Sequence, residues 1–258
     1  NFTVDFNAVT ITFPNMSLGF NFNLFKSNGS FGDFDFMPKF EFPTGLGIGI
    51  DISGIKGLGA LNWDKEKKSF TGFLELDVFS LFGASALLTF DMQKKDGTPG
   101  FSMFGAVSVT FSPGIQLGLG FTLSRVGGSL GINRMLDSKA LSDATHDGSL
   151  SSLMFIENLA DNMDTMLSSL SVYYPSKDDQ FFVGLMGRVD WAKIFSLDVG
   201  LFIQAPSPAE VLIIASFSMS VCEDFDKLLC INVDLFGRIN VMRGIFIDAC
   251  IHDSYIVG

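Results

Sequence analysis

Large apolar residues alternate with polar or small ones through most of this chain. The stretch FGDFDFMPKFEFP, residues 31 to 43, sets Phe31, Phe34, Phe36, Phe40 and Phe42 against Asp33, Asp35, Lys39 and Glu41. Successive side chains of a strand point to opposite faces, so a period of two predicts strands. The same period recurs in Leu46, Ile48, Ile50 and Ile52, in Leu74, Leu76 and Val78, and in Leu117, Leu119, Phe121 and Leu123. It returns over 181–193, 195–205, 209–221, 229–237 and 241–252. Turn chemistry falls between the runs: Asn62 to Lys68, and Lys94-Lys95-Asp96-Gly97, whose Asp-Gly supplies the positive φ a hairpin needs.

One segment departs from this pattern. Asp137 is placed to cap a helix over Ser138–His146, with Gly148 just past its end. Over 157–172, Leu159, Met163, Met166, Leu167 and Leu170 share one helical face, and Pro175 stops the run. The expected fold is therefore mainly β: long antiparallel strands in a curved sheet, sandwich or groove, with a small helical insertion. The expected organisation is a Phe/Gly-rich block over 1–134, a helical insertion over 135–175, and a second β block over 176–258 on the same sheet system. The candidate apolar face holds Phe20, Phe22, Phe34, Phe36, Phe40 and Phe42, joined by Leu117, Leu119 and Phe121. A one-sided apolar sheet must cover that face with a second sheet, a helix, a partner chain or lipid.

Composition narrows the function. Of 258 residues 47% are hydrophobic and 17% charged, with 29 Phe against 3 Tyr and 2 Trp. Phe lacks a polar handle and favours dry sites. The net charge of −11 argues against nucleic acid, which needs clustered Lys and Arg. No apolar run has the length of a membrane helix. The scarcity of Tyr and Trp argues against the aromatic girdles of a membrane barrel. Neither end of the chain reads as a natural terminus, which suggests a piece of something longer.

Three cysteines give an odd count. A disulfide between Cys222 and Cys230 is a candidate, beside the plainer reading of two small buried hydrophobes. Asn1, Asn15 and Asn28 begin N-x-S/T sequons and point to a secreted or surface chain.

Local chemistry is sparse. Asp248, Cys250 and His252 share a strand face, but neighbours at i and i+2 stand about 7 Å apart, too far for a nucleophile and its base. Two His and three dispersed Cys do not make a zinc site. The acidic clusters Asp33/Asp35, Asp178/Asp179 and Glu223/Asp224/Asp226 lack calcium-loop spacing. Glycine-rich stretches carry neither a dinucleotide fingerprint nor a P-loop. Catalysis would need Asp51, Glu75, Asp77 and Asp91 to be gathered by the fold. No cofactor is expected.

The order IQLGLGFTLSRVGGSLGINR (115–134), LDSKALSDATHDGSLSSLMF, FFVGLMGRVDW, VGLFIQAPSPAEVLII and GIFIDACIHDSYIVG resembles a family of large β-rich proteins of bacteria and fungi whose function is unknown. The resemblance covers roughly residues 112–258, and the Phe-rich front matches more loosely. It implies a block within a longer chain and carries no catalytic residue or cofactor. Together these features predict a non-catalytic structural or protein-interaction module, extracellular or at the cell surface. Its partners would be other chains or the rest of a longer polypeptide. The alternative is apolar-ligand (lipid) binding or transfer in a Phe-lined groove.

Overall fold

The structure is a computed structural model. It describes residues 1–258 except 30, 31, 42, 94–97, 151–153, 157, 158, 193, 207, 208, 224, 225, 241, 257 and 258. The side chains of 18, 20–38, 40 and 222–228 are also outside the description.

The period-two runs are strands. The front block forms β1 (Phe2–Asp5), β2 (Val9–Phe13), β3 (Ser17–Gly29), β4 (Gly32–Glu41), β5 (Gly45–Ile52), β6 (Ile55–Asp64), β7 (Ser69–Val78), β8 (Phe82–Gln93), β9 (Pro99–Gly118) and β10 (Phe121–Arg134). After the helices come β11 (Ser176–Trp191), β12 (Phe195–Ala205), β13 (Glu210–Glu223), β14 (Asp226–Asn240) and β15 (Gly244–Ile256). All but β3 and β4 form one 13-stranded antiparallel sheet in which each strand pairs with the next in sequence, β2 pairing with β5. The sheet is not closed, and β1 and β15 are its edges. Strands β3 and β4 pair only with each other and form a separate ribbon between β2 and β5.

One expected strand breaks in two. Leu117, Leu119 and Phe121 are not successive positions of one strand, because Gly118, Leu119 and Gly120 turn the chain from β9 into β10 with φ of 99°, 55° and 84°. The two glycines take this left-handed backbone without a Cβ penalty, so apolar alternation continues in sequence while the strand ends. Leu119 is 93% exposed at the tip and Leu117 57%.

The helical segment lies on one face of the sheet. Helix α1 (Ser138–Asp147) starts at Asp137, whose carboxylate accepts from the N–H groups of Lys139 and Ala140, and ends at Gly148 with φ 74°. Asp137→Ala should cost about 1 kcal/mol, read as a lower urea midpoint. Helix α2 (Leu159–Tyr173) buries Leu159 and Leu170, while Met163, Met166 and Leu167 are partly buried against the core. That core joins Leu136, Leu141, Leu150, Met154 and Phe155 to sheet residues from Leu87 and Phe104 through Phe182 and Phe202 to Phe236. Contacts at its two ends are far apart in the sheet. Glu75 of β7 accepts from the Leu159 N–H at 2.7 Å, and Asp248 of β15 accepts from Ser142 Oγ at 2.6 Å. The sheet therefore curves round the helices.

Candidate interaction surface

Residues opposite one another on neighbouring strands share a face. The register therefore sorts every strand into an inner, helix-covered side and an outer side.

The outer side is apolar from edge to edge. Its central row starts at Val4, Ile11, Ile48 and Gly59. It continues through Leu74, Ala86, Val107 and Gly128. It ends at Leu185, Leu201, Ile213, Gly237 and Ile247. The row beside it runs from Leu46 and Leu61 through Leu88, Leu130, Val183 and Ile203 to Ile239 and Ile245. The row on its other side runs from Val9 and Ile50 through Leu76, Val109 and Val126 to Leu235 and Ala249. All three rows contain only Val, Ile, Leu, Ala and Gly. They are also uncovered: Leu185 is 67% exposed, Ile245 73% and Ile247 67%. Monomeric soluble proteins rarely leave so broad an apolar surface open.

Rings collect at the two ends of this face. At one end Trp63, Phe70 and Phe90 are register partners, with Trp63 and Phe70 centroids 4.4 Å apart and Phe90 and Phe101 stacked at 6.0 Å. At the other, Phe121, Trp191 and Phe195 follow one another across β10, β11 and β12, with Trp191 and Phe195 stacked at 5.6 Å. Phe217 continues that end at 5.4 Å from Phe195. Both Trp of the chain thus lie on the outer face, at opposite ends. The Trp191 indole N–H donates to the Leu119 carbonyl at 3.0 Å.

The inner side carries the charges. One row there reads Asp51, Lys56, Asp77, then Thr110, Arg125, Arg188, Asp198, and then Ser216, Asp234, Cys250. Arg188 clamps Asp198 with two hydrogen bonds of 2.5 Å. The guanidinium carbons of Arg125 and Arg188 lie 5.1 and 5.7 Å from the Phe155 ring centre, in cation–π range. This pins the helical segment over β10 and β11. Leu136 N–H donates to Gln204 and Ser138 to Glu210, fixing the start of α1 over β12 and β13. Tyr174, wholly buried where the helical segment ends, has its phenol pushed well above the usual range by burial.

Asp248, Cys250 and His252 each have a partner of their own. Asp248 holds Ser142 and His146 on one carboxylate oxygen, at 2.6 and 3.0 Å, so the serine meets the acid and not the imidazole. His252 faces Asp234 at 3.3 Å, and Cys250 points its thiol at the Ile251 carbonyl. Of the four carboxylates, Asp51, Glu75 and Asp77 line one cavity of about 520 Å³ together with Lys56 and Arg125, Glu75 also accepting from the Leu159 N–H, while Asp91 lies apart and binds Arg134 at 2.7 Å. Among the described residues no group of His, Cys, Asp and Glu could hold a metal ion.

The remaining candidate residues take these places. In the ribbon, Phe22 is the register partner of Phe36, Phe20 of Pro38, Leu18 of Phe40 and Leu24 of Phe34. The side chains of Phe20, Phe22, Phe34, Phe36 and Phe40, and all of Phe42, lie outside the described residues. Cys230 is a free, buried thiol, and the side chain of Cys222 lies outside the described residues. The register sets Cys230 opposite Ser220 and Cys222 opposite Lys227. Two steps along a neighbouring strand put the two Cα atoms roughly 8 Å apart, beyond disulfide reach. Asn1 and Asn15 are exposed and bonded to each other, and Asn15 also donates to Thr44 Oγ1 at 2.9 Å. Asn28 lies in β3 with its side chain outside the described residues.

A model of a family of unknown function, DUF6603, matches residues 1–258. The chain belongs to this family. The match takes in the Phe-rich front as well as residues 112–258. No curated protein and no solved structure matches the chain. Among the described residues of this DUF6603 chain, no helix is long and apolar enough to cross a membrane, which says nothing of strands.

Proposed function

We propose that this chain is a non-catalytic structural or interaction module, surface-associated, that works by laying its outer sheet face on a partner. The observation that carries the reading is the set of three unbroken aliphatic rows, the central one crossing all 13 strands, with no element of the described residues packed over them and Leu74, Val107, Leu185, Leu201 and Ile247 exposed. Exposed apolar area of this breadth is unfavourable in water at about 25 cal/mol per Å², so it implies an occupant. A ligand groove is less well supported. The helical segment covers part of the concave side, and the cavities there set charged groups among their apolar lining: one of about 520 Å³ holds Asp64, Asp91, Arg134 and Asp164 beside Met163, Leu167 and Leu170, and another holds Asp51, Lys56, Glu75, Asp77 and Arg125. Ligand pockets are mostly apolar.

The test is polar substitution of exposed positions. Leu185→Ser, Leu201→Ser and Ile247→Ser combined should leave the far-ultraviolet circular dichroism unchanged, since exposed sites contribute within about 0.5 kcal/mol each. The unmodified chain in buffer should self-associate and enhance the fluorescence of an apolar dye; the triple variant should do neither. An unmodified chain that runs as a dye-silent monomer would refute the proposal.

A further inference from the structure

The outer face has a composition, a height and an end structure that select among partners. We infer that a lipid bilayer covers it, with the strands crossing the hydrocarbon and the helix side turned inward. This rests on the reading that the face works by being covered.

Three observations favour hydrocarbon over protein. The first is complementarity. Protein interfaces carry about one hydrogen bond per 100–200 Å². The three central rows offer no side-chain donor, acceptor or charge, while Arg125, Arg188 and Asp198 all lie on the opposite side. Hydrocarbon accepts only such a surface. The area also exceeds what a stable dimer needs. The eleven strands β5 to β15, about 4.8 Å apart and paired over about 34 Å on average, give roughly 1,800 Å², against about 800 Å² per partner in an interface of standard size.

The second is texture. Interlocking sheets need knobs and holes. On β6 and β7 the holes are already filled from within the face. A Cβ on Gly57 would meet Leu76 Cδ2 at 2.7 Å, one on Gly72 would meet Leu61 Cδ1 at 3.1 Å, and one on Gly59 would meet Leu74 Cδ1 at 3.2 Å. Leucines fold over the neighbouring strand's bare backbone and level the surface, which suits fluid chains.

The third is the ends. The eleven residues of β12, Phe195–Ala205, rise about 34 Å. At a tilt of about 40° they span about 26 Å, close to the apolar band of about 25 Å on membrane barrels. Rings flank that band at both ends, with Trp63 in one row and Trp191 in the other. The charged turn Lys65 to Lys68 lies beyond the Trp63 end. Hydrocarbon tolerates no unpaired strand edge, so β1 and β15 must pair there, with each other or with another copy.

The two tryptophans make the inference measurable. The full chain is reconstituted with phosphatidylcholine vesicles brominated either near the headgroup or near the acyl terminus. The unmodified chain, and Trp63→Phe and Trp191→Phe separately, should each be quenched about twofold more by the shallow bromines. Leu201→Trp, added to the double Trp63→Phe/Trp191→Phe background, should reverse that order. Absence of quenching by either lipid in the unmodified chain overturns the inference. If that chain is then a dimer with a dry Leu201→Trp probe, a second copy covers the face and the broader proposal stands. If it is a dye-silent monomer, both fall.

Discussion

Truncating Phe202 to alanine should cost about 3–5 kcal/mol of folding stability, and a methyl group added at Gly184 in that background should restore part of it. Phe202 is fully buried on the inner face of β12. Gly184 lies opposite it on β11, and a Cβ built there would clash with Phe202 Cδ1 and meet Cε1 at 2.5 Å, with Ser129 Oγ, a hydroxyl that can rotate aside, at 2.8 Å. Gly200 is also roofed by this ring, with Phe202 Cε2 2.8 Å from its would-be Cβ. The ring lies flat on bare backbone, and the helical segment packs above it. In the unmodified chain Gly184→Ala should therefore destabilise by about 1–3 kcal/mol, because a ring held under the helices cannot move aside. With Phe202 gone, the same methyl group fills a cavity. The sign of the Gly184→Ala effect should reverse between the two backgrounds, giving a coupling well above the error of a double-mutant cycle. Urea unfolding of the four proteins measures it. Equal losses in both backgrounds would show that the ring does not lie over Gly184.

This pair also shows how much the sequence reveals. The alternation in FFVGLMGRVDW, residues 181–191, marks a strand and its two faces. Asp137, Gly148 and Pro175 mark the helical boundaries, because capping is local chemistry. What is hidden is which face the helices choose. On β11 both faces are apolar, Phe181, Val183 and Leu185 against Phe182 and Met186. Composition ranks the odd positions no lower than the even ones. The choice is made by glycine spacing across strands, Gly131 beside Phe182 and Gly184 beside Phe202. That is a long-range match no single strand displays.

The candidate surface was legible in kind: Phe121 lies on the outer face, Leu119 at a turn, and the ribbon phenylalanines outside the described side chains. Period two announces an apolar face, but only register stacks Leu74, Leu185, Leu201 and Ile247 into one row. The turn at Gly118–Leu119–Gly120 keeps the same period as the strands around it, so Leu119 read as a face residue and is a loop tip. The argument against membrane strands from scarce Tyr and Trp counted residue types over the chain. Register adds their placement, with both Trp and the adjoining Phe rows at the ends of the outer face. The inner charges gave a weaker signal: Arg125, Arg188 and Asp198 each interrupt an apolar strand, but a bulge after Leu123 is what aligns Arg125 with the other two.

Those charges set the second large expectation. Asp198→Ala should cost about 3–5 kcal/mol, whereas replacing the pair, Arg188→Met with Asp198→Leu, should be close to neutral. Asp198 is 3% exposed and accepts both hydrogen bonds of the Arg188 fork. Removing the acid leaves Arg188 beside Arg125 under the Phe155 ring, two cations with a shared hydrophobic roof and less negative charge to hold them. Removing both members takes out the uncompensated charge and leaves apolar volume in its place. The comparison separates two roles for the pair. If the double replacement is as unstable as the single one, the pair is needed to position β11, β12 and Phe155. If it recovers most of the loss, the pair is tolerated because it is satisfied, and the helical segment is held chiefly by Phe182, Phe202 and the apolar residues packed over them. The second outcome is expected, because the rings supply contact area over several strands and the ion pair must first offset the desolvation of two charges.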